Sequence, residues 1–206
     1  MDTTGFLWVG TNKSLSRFDG KGFIHYYPGE GPKHYVGRGM KEFVVDTLNR
    51  IWFSNNSAIN RFNPETGTFS HFFYTDRFYP NIDSKGTIWA FSPNKFWVFH
   101  QKADSFVVAE QFKKNLKTEG FYNLGALCMH IDRSDNIWVG FNSRPAKAIR
   151  YTPKNRKVKY FTSEKDNVHS IWPEKVRNIY EDMEGRVWMF QNNMSYYDTK
   201  KDSIYR

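Results

Sequence analysis

Short apolar runs alternate with tight polar turns along this chain, and one phrase recurs five times. An aspartate stands six residues before a tryptophan, with an aliphatic residue just before that tryptophan. The copies run Asp2 to Trp8, Asp46 to Trp52, Asp83 to Trp89, Asp132 to Trp138 and Asp182 to Trp188. Three positions before the tryptophan stands Gly5, Gly86 or Gly185, and in the other two copies Asn49 or Asp135. Aspartate at the first position of a type I turn accepts hydrogen bonds from its own backbone. Glycine, and after it Asn and Asp, best tolerates the left-handed φ needed at the fourth position. The phrase therefore predicts a strand, a tight turn and a second strand entering on an aliphatic–Trp pair.

A second aromatic follows each tryptophan, at Phe18, Phe62, Phe99, Tyr151 and Tyr197, and a third apolar position at Phe23, Phe69, Phe106, Val158 and Ile204. Turn residues such as Asn63-Pro64-Glu65-Thr66-Gly67 separate them. Each unit thus resolves into four strands: a ends at the aspartate, b carries the tryptophan, c the second aromatic and d the third position. Four strands per roughly 40 to 50 residues is the period of a β-propeller blade. The expected fold is all-β: a single propeller segment over 1–206 with repeats near 1–35, 36–76, 77–123, 124–173 and 174–206. No strand a precedes Asp2, so the array reads as about five four-stranded blades in a partial ring. One blade alone exposes both faces, and stacking buries its aromatic rows. Two connections depart from the meander: the glycine-rich stretch Gly29 to Gly39, and Ala109 to Lys117, where two helical turns are expected.

Composition changes this picture little. Aromatics make up 18% of 206 residues, and much of that share sits at repeat positions. The net charge of +9 favours acidic partners, but the basic residues scatter through turns as ordinary surface charge does. Contact with nucleic acid or a membrane is not expected. Cys128 lies in an apolar run and reads as a buried, inert thiol. The start of the chain carries no signal peptide and reads as a cut edge within a repeat. The six histidines lack metal-ligand spacing, so neither metal nor cofactor is expected. The repeated aspartates share one phase with the turn and belong to different blades, which makes them structural rather than catalytic. With no catalytic constellation in view, the chain is not expected to be an enzyme.

The phrase Asp-x-x-Gly-x-aliphatic-Trp-Val-Gly-Thr is best seen at Asp2 to Thr11, then at Asp132 to Gly140. With the continuation Leu15-Ser-Arg17-Phe18-Asp19, it resembles the two-component regulator propeller repeat. Asp166 to Ile171 and Val176 to Asp182 resemble that repeat's linking loop and strand a. The resemblance implies seven-bladed propellers in the periplasmic sensor region of hybrid histidine kinases, which commonly respond to oligosaccharides. It therefore implies a periplasmic, non-catalytic sensor segment whose partners are an oligosaccharide, acidic in view of the charge, and either further blades or a second copy. No residue here matches a kinase, receiver or DNA-binding domain.

Propeller geometry places a binding site at the mouth of the channel, lined by strand a and the connection before it. The side chains available there are Arg38, Lys41, Arg77, Tyr79, His130, Trp172 and Arg177. Arginine forks suit carboxylates and aromatic faces suit sugar rings. A lyase or glycosidase fragment would need two converging titratable groups, and the sequence offers no such pair. A scaffold acting through blade edges is the other alternative.

Overall fold

The computed structural model describes residues 2–40, 43–56, 58–73, 78–92, 95–109 and 124–206. Among them, nineteen strands form five sheets, with one 3₁₀ turn at Gln101–Ala103. Sheet 1 holds β1 (Leu7–Gly10), β2 (Leu15–Phe18) and β3 (Phe23–Tyr26). Sheet 2 holds β4 (Phe43–Val45), β5 (Ile51–Ser54), β6 (Ala58–Asn63) and β7 (Thr68–Phe73). Sheet 3 holds β8 (Tyr79–Ile82), β9 (Ile88–Ser92), β10 (Lys95–His100) and β11 (Ser105–Val108). Sheet 4 holds β12 (Ala126–Ile131), β13 (Ile137–Phe141), β14 (Lys147–Thr152) and β15 (Lys157–Thr162). Sheet 5 holds β16 (Asn178–Glu181), β17 (Arg186–Phe190), β18 (Met194–Asp198) and β19 (Ser203–Tyr205). Every sheet keeps sequence order, which makes each a meander, and sheet 1 has the three strands that the strand count predicts. The helical turns expected from Ala109 to Lys117 fall almost wholly outside the described residues.

The five-fold phrase owes its six-residue spacing to a hydrogen bond. Asp2 Oδ1 accepts the backbone N–H of Thr4 and of Phe6, both at 3.0 Å, while Oδ2 accepts the indole Nε1–H of Trp8 at 2.7 Å. The indole bond recurs at 2.7 Å for Asp46 and Trp52, 2.8 Å for Asp132 and Trp138, and 2.7 Å for Asp182 and Trp188. Asn49 and Asp135 take φ of 59° and 61°, the left-handed turn that glycine supplies in the other copies. In these four copies the aspartate therefore does more than shape the bend: it also satisfies the donor of the indole that it precedes. Asp2, Asp46 and Asp132 are themselves buried, which is tolerable because several donors converge on each carboxylate.

Packing divides the chain into two compact units. One is Met1–Ile82 with Gly86–Ala90 and Val98–Val107; the other is Asp83–Lys85 and Phe91–Trp97 with Val108–Arg206. In the first unit, Trp8 stacks on Tyr26 of its own sheet at 5.9 Å and meets Phe62 of sheet 2 edge-on at 5.6 Å. Trp52 stacks on Phe72 at 5.7 Å and meets Phe99 edge-on at 4.7 Å. In the second unit, Trp138 stacks on Phe161 at 5.4 Å and leans on Tyr197 of sheet 5 at 5.2 Å. Each of these indoles fills the seam between its own strand d and strand c of the next sheet. Trp89 is buried too, whereas Trp188 is half-buried beside Tyr196.

The glycine two residues past the tryptophan has a steric reason. A Cβ on Gly140 would lie 2.7 Å from both Cys128 Sγ and Val176 Cγ1. The connection leading into sheet 5 thus rests directly on bare backbone. Cys128 is a buried free thiol, 3.6 Å from the Val176 carbonyl, as the apolar run around it predicts.

One face stands apart. Opposite Trp8, sheet 1 presents Leu7, Val9 and Phe23 at 44%, 36% and 53% exposure. The matching residues of sheet 2, Ile51, Phe53 and Phe69, are buried. Phe23 was expected in the core with Phe69; it is exposed because no described sheet covers that face in the first unit.

Truncating the seam measures it. Trp138→Ala should lower stability by roughly 3–5 kcal/mol, as a buried aromatic truncation does. Asp132→Ala, which leaves that indole N–H buried without an acceptor, should cost about 1–3 kcal/mol. Urea denaturation reads both, and midpoints unchanged from the parent chain would show that the seam is not core.

Acid tests the same bond. Burial pushes the Asp182 carboxyl up, but the Trp188 indole, the Arg186 guanidinium and the Arg186 N–H outweigh it and hold it well below the usual carboxylate range. Asp2 is likewise lowered, with burial opposed by Trp8, Thr4 and Phe6. A carboxyl lowered in the folded state stabilises fully above its unfolded value of about 4 and loses that contribution as pH falls further. The urea midpoint should therefore drop from pH 5 towards pH 2, and less steeply in Asp182→Asn; equal slopes would remove the carboxylate from the account.

Candidate functional site

In a meander, the b–c turn and the d–a connection lie at one end of the sheet, away from the aspartate turns. At that end of the first unit, the connection after β3 is pinned at several points. Gly29 N–H donates to the Tyr35 carbonyl at 3.0 Å, and Val36 N–H donates to Asn60 Oδ1 at 3.0 Å. Asn55 Nδ2 donates to the Val36 carbonyl. Tyr35 is 2% exposed, its ring edge-on to Phe53 at 5.2 Å. Gly37 follows with φ of 87°, and a Cβ there would lie 2.5 Å from Asn55 Oδ1. Only glycine fits beside the amide that holds the loop. The next residue, Arg38, is exposed between Gly37 and Gly39 on this anchored segment.

Arg38 lines a cavity of about 550 Å³ with Asn12, Lys13, Tyr27 and Pro28. That volume lies in the usual range for small-ligand sites. Two cations and an amide line it together with Tyr27, which is 54% exposed. The guanidinium offers a planar fork to a carboxylate, the ammonium adds a point charge, and the ring offers a face to a sugar.

The second unit repeats the anchoring with a different outcome. Ser195 Oγ accepts from Trp172 N–H at 3.4 Å, and Gln191 Nε2 donates to the Trp172 carbonyl. These bonds correspond to those that Asn60 and Asn55 make to Val36, so Trp172 holds the position of Val36 in the repeat. Its indole N–H donates to the Met194 carbonyl at 3.1 Å, and the Arg206 guanidinium lies 4.7 Å from its ring centre. Trp172 is thus committed to its own loop. A smaller cavity of about 210 Å³ lies beside β19, and its charged walls Lys159 and Asp202 already pair at 2.8 Å.

Of the expected site residues that the structure describes, Arg38 alone lines the larger cavity. Tyr79 opens β8 and is half-buried. His130 lies on β12 across from Trp138, its ring 6.3 Å from that of Tyr180. Burial holds His130 below its usual range, against the raising pull of Glu181 and Asp132, so it is neutral at neutral pH. Arg177 is exposed, and its backbone N–H donates to the Phe190 carbonyl at 2.8 Å. Lys41 and Arg77 lie outside the described residues. The sequence reading missed Asn12, Lys13, Tyr27 and Pro28. Repeat logic could have found them, because the b–c turn Thr11 to Ser14 must lie beside the connection that carries Arg38. Among the described residues, no group of three or more His, Cys, Asp or Glu is placed to hold a metal ion.

No family model and no curated protein matches this sequence. Solved structures match its fold. The extracellular domain of the hybrid two-component system BT4673 from B. thetaiotaomicron superposes with a TM-score of 0.71 at 13% identity, over 98% of this chain and 26% of that one. PorZ, a surface component of the type-IX secretion system of Porphyromonas gingivalis, gives 0.65 at 16% identity over 97% of this chain and 32% of its own. The Dos1 propeller gives 0.63 at 12% identity over 98% and 55%. This chain has the β-propeller fold, shared with the extracellular domain of a hybrid two-component system, and spans about a quarter to a third of the first two structures.

The anchoring of Arg38 can be tested without a ligand. Gly37→Ala should cost about 1–2 kcal/mol for its left-handed backbone, and more for the overlap with Asn55. Gly31→Ala, at φ of 86° with open space around its Cβ, should incur only the backbone cost. Equal urea midpoints for the two variants would show that Asn55 does not hold the loop.

Proposed function

We propose that this chain is a ligand-binding segment of an extracytoplasmic sensor region, and that the cavity at Arg38 takes an acidic oligosaccharide without transforming it. One observation carries the reading: Lys13, Arg38 and the exposed Tyr27 line one ligand-sized cavity. The resemblance of the five phrases to the two-component regulator propeller repeat supports it, as does the fold shared with an extracellular domain of a hybrid two-component system. The net charge of +9 favours an acidic ligand over a neutral one. The described residues hold no helix long and apolar enough to cross a membrane.

A second reading, docking onto another sheet, draws on the exposed face of sheet 1. Leu7, Val9 and Phe23 lie where the corresponding residues of sheet 2 are covered. A further blade or a second copy would bury them.

Calorimetric titration with oligogalacturonides and with neutral oligosaccharides of equal length separates these readings. The acidic series should bind, and added salt should weaken that binding. Arg38→Gln should weaken it about tenfold, the loss of about 1.4 kcal/mol. Turnover of any sugar would overturn the non-catalytic reading. Binding unaffected by Arg38→Gln would place the ligand elsewhere, and silence with all sugars would favour docking.

A further inference from the structure

At the other end of the first unit, an arginine lacks the acid that its repeat equivalents possess. Across strand c from the tryptophan stand Arg17, Arg61 and Arg150, in register with Trp8, Trp52 and Trp138. Arg61 reaches the c–d turn of the next sheet, where its Nη1 and Nη2 donate to Asp104 at 2.5 and 3.2 Å. Arg150 Nη1 donates to the Tyr197 hydroxyl at 2.8 Å and lies 4.0 Å from Asp202 of its own next c–d turn, which pairs with Lys159. Both aspartates close their turns in the left-handed region, with φ of 45° and 52°. The residue that closes the corresponding turn of sheet 2 is Gly67, with φ of 67°. Asp104 and Asp202 thus have no counterpart opposite Arg17.

The Arg17 guanidinium lies 4.4 Å from the ring centre of Phe6, and its Nε, like that of Arg150, is buried with no acceptor among the described residues, but Arg17 has no turn aspartate beside it. A cavity of about 330 Å³ opens beside it, bounded also by Thr3, Asn49, Pro64 and Glu65. Asn49, which also lines the cavity, accepts the Thr3 N–H on its Oδ1 at 3.1 Å. Asp2 also borders the cavity, but its carboxylate is occupied by Trp8, Thr4 and Phe6. Glu65 is exposed on the turn and forms no ion pair with Arg17 among the described residues. A buried guanidinium N–H with no acceptor is a cost unless an anion supplies one.

We propose that this cavity is a second ligand site, specific for a carboxylate, in which the ligand takes the place that Asp104 takes on the equivalent Arg61. This site is separate from the cavity at Arg38 and does not depend on it. The Arg17 Nε–H resonance provides a direct reading by nuclear magnetic resonance, with sodium glucuronate as the probe and glucose at matched ionic strength as the control. Glucuronate should shift that resonance saturably and glucose should not. Gly67→Asp, whose new Cβ meets nothing within 4 Å, supplies the missing carboxylate from within the chain. It should weaken glucuronate binding at least tenfold and raise the urea midpoint. Arg17→Gln, followed by calorimetry, should abolish the binding while leaving the response to Arg38→Gln unchanged. No saturable shift in the parent chain would overturn the proposal, as would undiminished binding in Gly67→Asp. Binding that appears only in Glu65→Gln would overturn it too, by showing that Glu65 closes the site in the parent chain.

Discussion

A carboxylate and an indole N–H, each costly to bury alone, are buried together, and this pairing constrains the rest of the molecule. At Asp132, one carboxylate oxygen gathers the turn's backbone donors while the other takes the Trp138 indole. Neither group can be lost without stranding its partner in a region that water does not reach. The bond fixes where the tryptophan sits relative to the turn. A tryptophan so fixed can stack on strand d of its own sheet and still present an edge to the next. Local turn chemistry thereby becomes the spacing between sheets.

This hierarchy explains what could be read in the sequence. The five sheets, their strand order and the missing first strand follow from turn residues and apolar spacing, because those signals are local and written several times. The aspartates at the turn were equally legible, but their second task was not. Six residues along a hairpin is a distance in space that only coordinates reveal. Phe23 misled for the opposite reason: its repeat position says core, yet burial depends on a neighbouring sheet rather than on the residue itself. Trp172 looked like an exposed ring on a loop, but its indole N–H and ring face are both used to hold that loop. The cavity at Arg38 was half legible. Its arginine stood out among glycines, while Lys13 and Tyr27 are distant in sequence and meet it only through the meander.

The two ends of each sheet do different work. The aspartate turn recurs in all five copies, and in four of them it carries the clamp. Connections at the other end vary in length and composition, and what they share is anchoring: an amide or hydroxyl from the next sheet holds their backbone at Val36 and at Trp172. A rigid frame with differently furnished, firmly held connections is a general way to place recognition groups without rebuilding a fold.

The two sides of a sheet in this array are chemically unlike. One carries the indole and its stacked ring; the other, as on sheet 1, carries Leu7, Val9 and Phe23. A second copy set on this face by a two-fold axis would bury apolar side chains against their own kind and close the contact as a pair. A copy that instead offered an indole side to it would make a head-to-tail contact, which either closes into a ring or grows into a filament.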